Sequence, residues 1–388
     1  MNNSYVDTFV IRTNNRLRIL QTIFDNMVIS RADIAKMLNM SKPAVNEHID
    51  HLLESKIILE LGEGSATDRG GRRPILLAPN NEYKYIIALD LNNSKPIIAL
   101  GNISGMPVDR FFIDKHYDFS DLCEIVGDCI DKLIKRNNVE YSQIGVIAIS
   151  TPGTVNTETG EIANNRNGGQ QTINLKSYLH DRYNLPIIIE NYVNMAAVGE
   201  EKFLKKENRN SFLFINCGYN LSSAIVINGK VCNGENYSAG DIGRCILSED
   251  GLSAESKIAV PALIELISQI IAENDITTSL TPSNIKFIDI LNAYTKKDEA
   301  VISALKKISK TLASVIINAV ALLDVNTVVV GGEYADFKDL IIKEVKSYIN
   351  SSNLVFKPEI IPTALTYAGG IIGCFEEGTN YIIENLQS

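Results

Sequence analysis

Apolar residues at Leu17, Leu20, Ile23, Phe24 and Met27 recur close to the 3.6-residue helical period, so the pattern predicts a one-faced helix over 14–27. Ser30, with Asp33 three residues on, has the spacing of a capping box and predicts a second helix running to Leu38, with Ile34, Ala35 and Leu38 inward. After the short Asn39-Met40 turn, Ser41 predicts the cap of a third helix, with Pro43 in its first turn, where a missing N–H costs nothing. Val45, Ile49, Leu52 and Leu53 make that helix's inward stripe. Strands are expected at 57–61 and 74–78, around the Gly-rich segment GEGSATDRGGRRP.

Beyond residue 79 the pattern changes. Strands are expected at 85–91, 96–102 and 110–113, a helix at 120–135, and buried strands at 144–149 and 187–190, the last leading into a helix at 191–204. The plan then starts again, with strands at 212–216, 223–227 and 230–231. Helices follow at 259–273, 285–293 and 300–323, then a strand at 327–330 and a helix at 337–349. Two copies of one strand-strand-strand, helix-strand plan imply a two-lobed α/β body with a cleft between lobes.

Three short helices with a tight turn between the second and third suit a helix-turn-helix, whose third helix enters the major groove of double-stranded DNA by its N-terminus. Ser41, Lys42, Ala44, Asn46, Glu47 and His48 then lie on its early surface. Asn46 has the chemistry to pair with adenine, and Lys42 to reach guanine or a phosphate. The loop with Arg69, Arg72 and Arg73 reads as the tip of a wing, its arginines suited to a narrow minor groove. A small helical bundle with a solvated basic loop is the plainer reading of the same residues.

A net charge of -9 on 388 residues argues against a polyanionic partner until its distribution is considered. Residues 1–79 carry ten Lys/Arg and nine Asp/Glu; the remainder carries 27 and 37. The acidic surplus therefore lies outside the expected DNA-binding module. No run approaches the roughly 18 apolar residues of a membrane span, and Asp7 and Arg12 interrupt any signal-peptide core. Six scattered cysteines without a CxxC fit neither a disulfide framework nor a structural zinc site, so a reduced, cytoplasmic protein is expected.

Four segments, IGVIAISTPGTVNTETGEI, IIIENYVNMAAVGE, NGENYSAGDIGR and VVVGGEYADF, follow in that order after the winged-helix pattern and its GGRRP. Together they resemble the ROK family of repressors, open reading frames and sugar kinases over nearly the whole chain. The resemblance implies an N-terminal winged helix-turn-helix followed by a two-lobed actin-like ATPase body of the sugar-kinase type. The domains expected are a DNA-binding domain at 1–79, a first lobe at 80–196 completed by 370–388, and a second, dimerising lobe at 197–369.

Set against the family's motifs, the catalytic parts depart. The first phosphate loop, like DxGGT, is here Asp90-Leu91-Asn92-Asn93-Ser94; the second, like GTGxGGG, is Cys217 to Ser223. Glycines that present backbone amides to phosphate are replaced by side chains. The ENDAN motif becomes Glu190-Asn191-Tyr192-Val193-Asn194, so a phenol stands at the base position, a poor base near neutral pH. The zinc motifs GEIGH and CxCGxxGC become GDIGR and a stretch without cysteine, so neither zinc nor another cofactor is expected, and packing or hydrogen bonds must hold that region.

By the same resemblance Asn167, Asn191, Asp241, Arg244 and Glu255 are the candidate ligand-binding residues. Arg244 stands open between two readings: a bidentate partner for an anionic sugar derivative, or a local salt bridge filling the space left by zinc. The function expected is a homodimeric repressor of carbohydrate-utilisation genes on a palindromic operator. An inactive kinase-like body would sense a sugar, sugar phosphate or sugar acid. The alternatives are an active sugar kinase with a fused DNA-binding domain and a DNA-binding scaffold with a vestigial pocket.

Overall fold

The structure, a computed structural model, describes residues 3–64, 73–91, 96–113, 119–164, 171–273, 276 and 278–386. The chain divides into two compact units: 1–151, 157–189 and 374–388 in one, 152–156 and 190–373 in the other.

The first unit opens with helix α1 (Asn3–Asn26), the short strand β1 (Ile29–Ser30), and helices α2 (Arg31–Leu38) and α3 (Lys42–Glu54). Strands β2 (Ile58–Glu63) and β3 (Ile75–Pro79) follow as an antiparallel pair, and β1 lies on the far side of β3. This is a winged helix-turn-helix. Ile23, Ile34, Val45, Ile49, Ile58 and Leu77 are fully buried in its core. Ser30 Oγ accepts the Asp33 N–H at 3.1 Å and donates to the Asp33 carboxylate at 2.6 Å. Asp33 thus returns to the cap's hydroxyl. Asn39 closes α2 in the left-handed conformation, which asparagine tolerates better than most residues.

Two details depart from the sequence expectation. α1 starts at Asn3, eleven residues before the expected 14, because an asparagine pair costs a helix interior only a fraction of a kcal/mol each and does not stop it. His48, expected on the exposed face of α3, is 5% exposed and belongs to the inward stripe with Val45, Ile49 and Leu52.

The module joins the α/β part of its unit through short bonds: the Asn80 N–H and Nδ2 donate to the Ile57 and Lys56 carbonyls, and Ser104 Oγ donates to Asn81. That part contains β4 (Tyr85–Asp90), β5 (Ile97–Asn102), β6 (Pro107–Phe112), α4 (Leu122–Asn137) and β7 (Ile144–Thr151). The chain crosses into the second unit for five residues, which include β8 (Thr154–Val155). It returns for the hairpin β9 (Glu161–Asn164) and β10 (Gln171–Asn174), helix α5 (Leu175–Tyr183) and β11 (Ile187–Asn191). The sheet order is β11-β7-β4-β5-β6.

The second unit continues with α6 (Tyr192–Glu201), β12 (Phe212–Cys217), β13 (Leu221–Ile227) and β14 (Lys230–Val231). Next come α7 (Ala254–Ile258), α8 (Val260–Glu273), α9 (Phe287–Thr295) and α10 (Glu299–Leu323). It closes with β15 (Thr327–Gly331), α11 (Lys338–Asn350), β16 (Glu359–Pro362) and the start of α12 (Gly369–Asn385), which ends in the first unit. The sheet order is β16-β15-β12-β13-β14. Each sheet sets its first strand in the middle, adds two antiparallel strands on one side, and places its later strands on the other. The doubled plan read from the hydrophobic pattern is therefore present in both units. The second unit's core is aliphatic, with Leu213, Ile215, Leu263, Ile267, Leu305, Val328 and Ile341 fully buried.

Candidate functional site

The DNA-binding candidates on α3 separate by exposure. Ser41 Oγ accepts the Ala44 N–H at 3.4 Å and caps the helix. Lys42 and Asn46 are exposed, Ala44 is half-buried, and His48 is buried. Arg73 is exposed just before β3. Arg69, Arg72 and Asn167 lie outside the described residues.

In the second unit, three of the candidate segments converge on the first residues of β13. The Leu221 N–H donates to Glu255 Oε2 at 2.8 Å. Ser222 Oγ lies 3.0 Å from the Tyr192 hydroxyl, which also accepts from Asn216 Nδ2 at 3.0 Å. The Ser223 N–H and Oγ both donate to the Gly240 carbonyl, in the loop that carries Asp241 and Arg244. Glu255, Tyr192 and the 240–244 loop are thus brought together by a single strand start, although they are far apart in sequence. Asn191 caps α6: its Oδ1 accepts the Val193 N–H and its Nδ2 donates to the Gly153 carbonyl at 2.6 Å. Arg244 Nε pairs with Asp241 Oδ2 at 2.6 Å, its side chain 78% exposed.

Side chains that the sequence reading passed over complete this region. The Glu190 carboxylate accepts from the Asn191 N–H, from Asn194 Nδ2 and from Asn233 Nδ2. Asn194 also donates to Asn233 Oδ1 at 3.0 Å. Burial pushes the Glu190 carboxyl up from its ordinary value, against the pull of those three donors. Asn194 Oδ1 is buried and accepts no hydrogen bond from the described residues, and such a group is costly unless a partner arrives. Glu190 lies in β11 and Asn194 in the first turn of α6, so no helical spacing linked them in the sequence, and the link to Asn233 was equally hidden.

The Cys217–Ser223 stretch, expected to depart from a phosphate cradle, folds as a tight hairpin turn in which Cys217 pairs with Leu221. Glu333 reaches this turn from the end of β15: a Cβ on Gly218 would collide with its carboxylate. The Tyr219 amide and Glu333's own amide donate to that carboxylate, while burial raises its pKa overall. An internal carboxylate therefore occupies the Tyr219 amide of this turn. The Tyr192 hydroxyl, fixed between Ser222 and Asn216, is likewise committed to the local network.

The stretch where the family's zinc cluster would lie is held by a polar clamp. Lys257 Nζ donates to Ser248 Oγ at 2.5 Å and to Asp250 Oδ2 at 2.6 Å. Asp250 Oδ1 accepts the Leu252 N–H and Ser248 Oγ. These donors, Lys257 foremost, hold the Asp250 carboxyl down at about 2. Among the described residues, no three His, Cys, Asp or Glu side chains gather at a spacing able to hold a metal ion. No helix among them is long and apolar enough to cross a membrane.

Two family profiles match the chain. A profile of the ROK family matches residues 112–376, and one for winged helix-turn-helix DNA-binding segments matches 12–58. The xylose repressor of Caldicellulosiruptor bescii is 25% identical over 381 residues, 94% of this chain and 95% of its own. A crystallised ROK family transcriptional regulator, a homologue of the E. coli MLC protein, shares the fold with a TM-score of 0.79 at 19% identity, over 97% of this chain and 98% of that one. A ROK family glucokinase from Streptomyces griseus, crystallised with glucose and AMPPNP, gives 0.64 at 17% identity over 76% and 98%.

Proposed function

The chain belongs to the ROK family, and from that premise we propose that it is a DNA-binding transcriptional repressor. Its sugar-kinase-like body would sense a sugar or sugar derivative and transfer no phosphoryl group. The observation that carries this reading is the fusion of a capped winged helix-turn-helix to a body whose base position holds the Tyr192 phenol, bonded to Ser222. A phenol fixed in that way neither abstracts a hydroxyl proton efficiently near neutral pH nor leaves room for a carboxylate that would. Glu333, seated on the Tyr219 amide of the 217–221 turn, would add charge repulsion against a nucleotide phosphate.

The effector reading rests on Asn191, Asp241, Arg244 and Glu255 with the Glu190–Asn194–Asn233 group beside them. The orphaned Asn194 Oδ1 supports a ligand that offers a hydroxyl hydrogen. The Arg244–Asp241 pair supports the local salt-bridge reading of Arg244 over an anion clamp. The relatives named as xylose repressors put pentoses first among the sugars to try. A ligand switches the repressor only by binding its DNA-free conformation more tightly than the bound one. A homodimer presenting two winged helices to an inverted repeat is the assembly this reading requires.

The test is a thermal-shift screen of pentoses, hexoses and their phosphates and acids, followed by selection from random duplexes with and without the stabilising sugar. We expect an inverted repeat to be enriched and the sugar to release it. ATP-dependent phosphorylation of any of these sugars would instead establish the active-kinase reading, which the shared fold with a glucokinase keeps in play.

A further inference from the structure

Arg31 is the first residue of α2, and its guanidinium reaches two other elements of the winged helix. Nη1 pairs with Asp50 Oδ1 at 2.7 Å on α3, and Nη2 with Glu60 Oε1 at 3.2 Å on β2. Nη1 also lies 3.4 Å from Asn46 Oδ1. The Arg31 side chain is 27% exposed, while those of Asp50 and Glu60 are 60% and 41% exposed. The arginine is the inner member of the group and the two carboxylates face outward.

The position of Asp50 gives this clasp a functional meaning. Lys42, Asn46 and Asp50 are spaced by four residues and lie along one row of α3, and all three are exposed. The same row that offers a cation and an amide to DNA thus ends in a carboxylate, which would repel phosphate if left uncovered. Glu60 adds a second carboxylate on the first strand of the wing. A guanidinium forked between them offsets that repulsion and ties the third helix to the wing.

Arg31 also acts on Asn46. Arginine only donates hydrogen bonds, so the amide atom facing it must be the oxygen. The Asn46 Nδ2 group is therefore turned away from Arg31, with its donors left for acceptors on base edges, while Oδ1 keeps one lone pair.

We infer that Arg31 is a positioning residue for DNA readout, which covers Asp50 and Glu60 and sets the orientation of the Asn46 amide. This rests on the DNA-binding reading of the module. It predicts that Arg31 acts through these partners and makes no phosphate contact of its own.

The experiment uses the full chain and the duplex that the wild-type protein enriches from a random pool. If the wild type enriches nothing, the DNA-binding reading itself fails. Given an enriched duplex, R31A is expected to lose roughly tenfold in affinity, and R31A combined with D50N and E60Q to recover most of it. Both variants should relax base preference at the position contacted by Asn46, a readout that a simple loss of stability would not change. R31K keeps the charge without the fork and should hold an intermediate affinity. Affinity unchanged in R31A overturns the inference. So does a triple variant as weak as R31A with a salt slope smaller by about one, since that marks Arg31 as a phosphate contact.

Discussion

Lys257 and Asp250 form a polar clamp in the stretch where the family motifs place a metal site. The Asp250 carboxyl is held at about 2, first by Lys257 and then by the Leu252 N–H and Ser248. A folded-state pKa below the unfolded value means that this contribution to stability is present above the ordinary carboxylate pKa of 3.8. It is lost as pH falls from there toward about 2. Replacing Lys257 with Ala should raise the Asp250 pKa toward its ordinary value without restoring it fully, because Leu252 and Ser248 still donate. A carboxyl-carbon NMR titration measures this directly, and an unshifted Asp250 would remove Lys257 from the account. That the stretch lacks cysteines was readable in the sequence; the clamp was not, since a lysine in a short helix and an aspartate seven residues earlier form no recognised motif. The Glu333–Gly218 contact was hidden for a different reason. More than a hundred residues separate the two, and only the parallel pairing of β12 with β15 brings them together.

Among elements, caps and hydrophobic periods carried most of the information. Ser41 at the start of α3 satisfies the Ala44 amide, one of the donors that a helix start leaves without an intrahelical partner. Ser41→Ala should cost about 1 kcal/mol, and amide hydrogen exchange in the first turns of α3 should then quicken roughly fivefold. Unchanged exchange would mean that the cap contributes nothing beyond its geometry. Elements with strong periodicity or a clear cap, such as α3, α8 and α10, fell within a residue or two of expectation. α5, the β9–β10 hairpin, β16 and α12 were not anticipated. For α12 the cause is physical: its sequence is rich in glycine, which disfavours helix in isolation. The packing overrides that preference, because a Cβ on Gly373 would collide with the Met195 carbonyl. Asn191 and Tyr192 were placed correctly at the start of a helix, yet their hydrogen-bond partners lie far off in sequence, Gly153 in the turn between β7 and β8 and Ser222 on β13.

For the whole molecule, the difficulty is a chain of net charge -9 expected to bind a polyanion. Its doubled sheet plan supplies the scale on which that is resolved: the acidic surplus belongs to the α/β body, and the first 79 residues are nearly neutral. Counterion release depends on the phosphates neutralised by nearby cations, so affinity should fall with salt according to the winged helix alone and not the total charge. Within that module Lys42 and Arg73 are exposed, and Arg72 precedes Arg73 in the sequence. Replacing Arg72 and Arg73 together with Ala should weaken binding to any duplex by a similar factor and reduce the slope of log affinity against log salt by about two. Base preference should be retained if, as proposed, α3 reads the bases. A reduced slope with retained preference separates wing from recognition helix. An unchanged slope would place the wing away from the duplex and leave α3 and its flanks to make every contact.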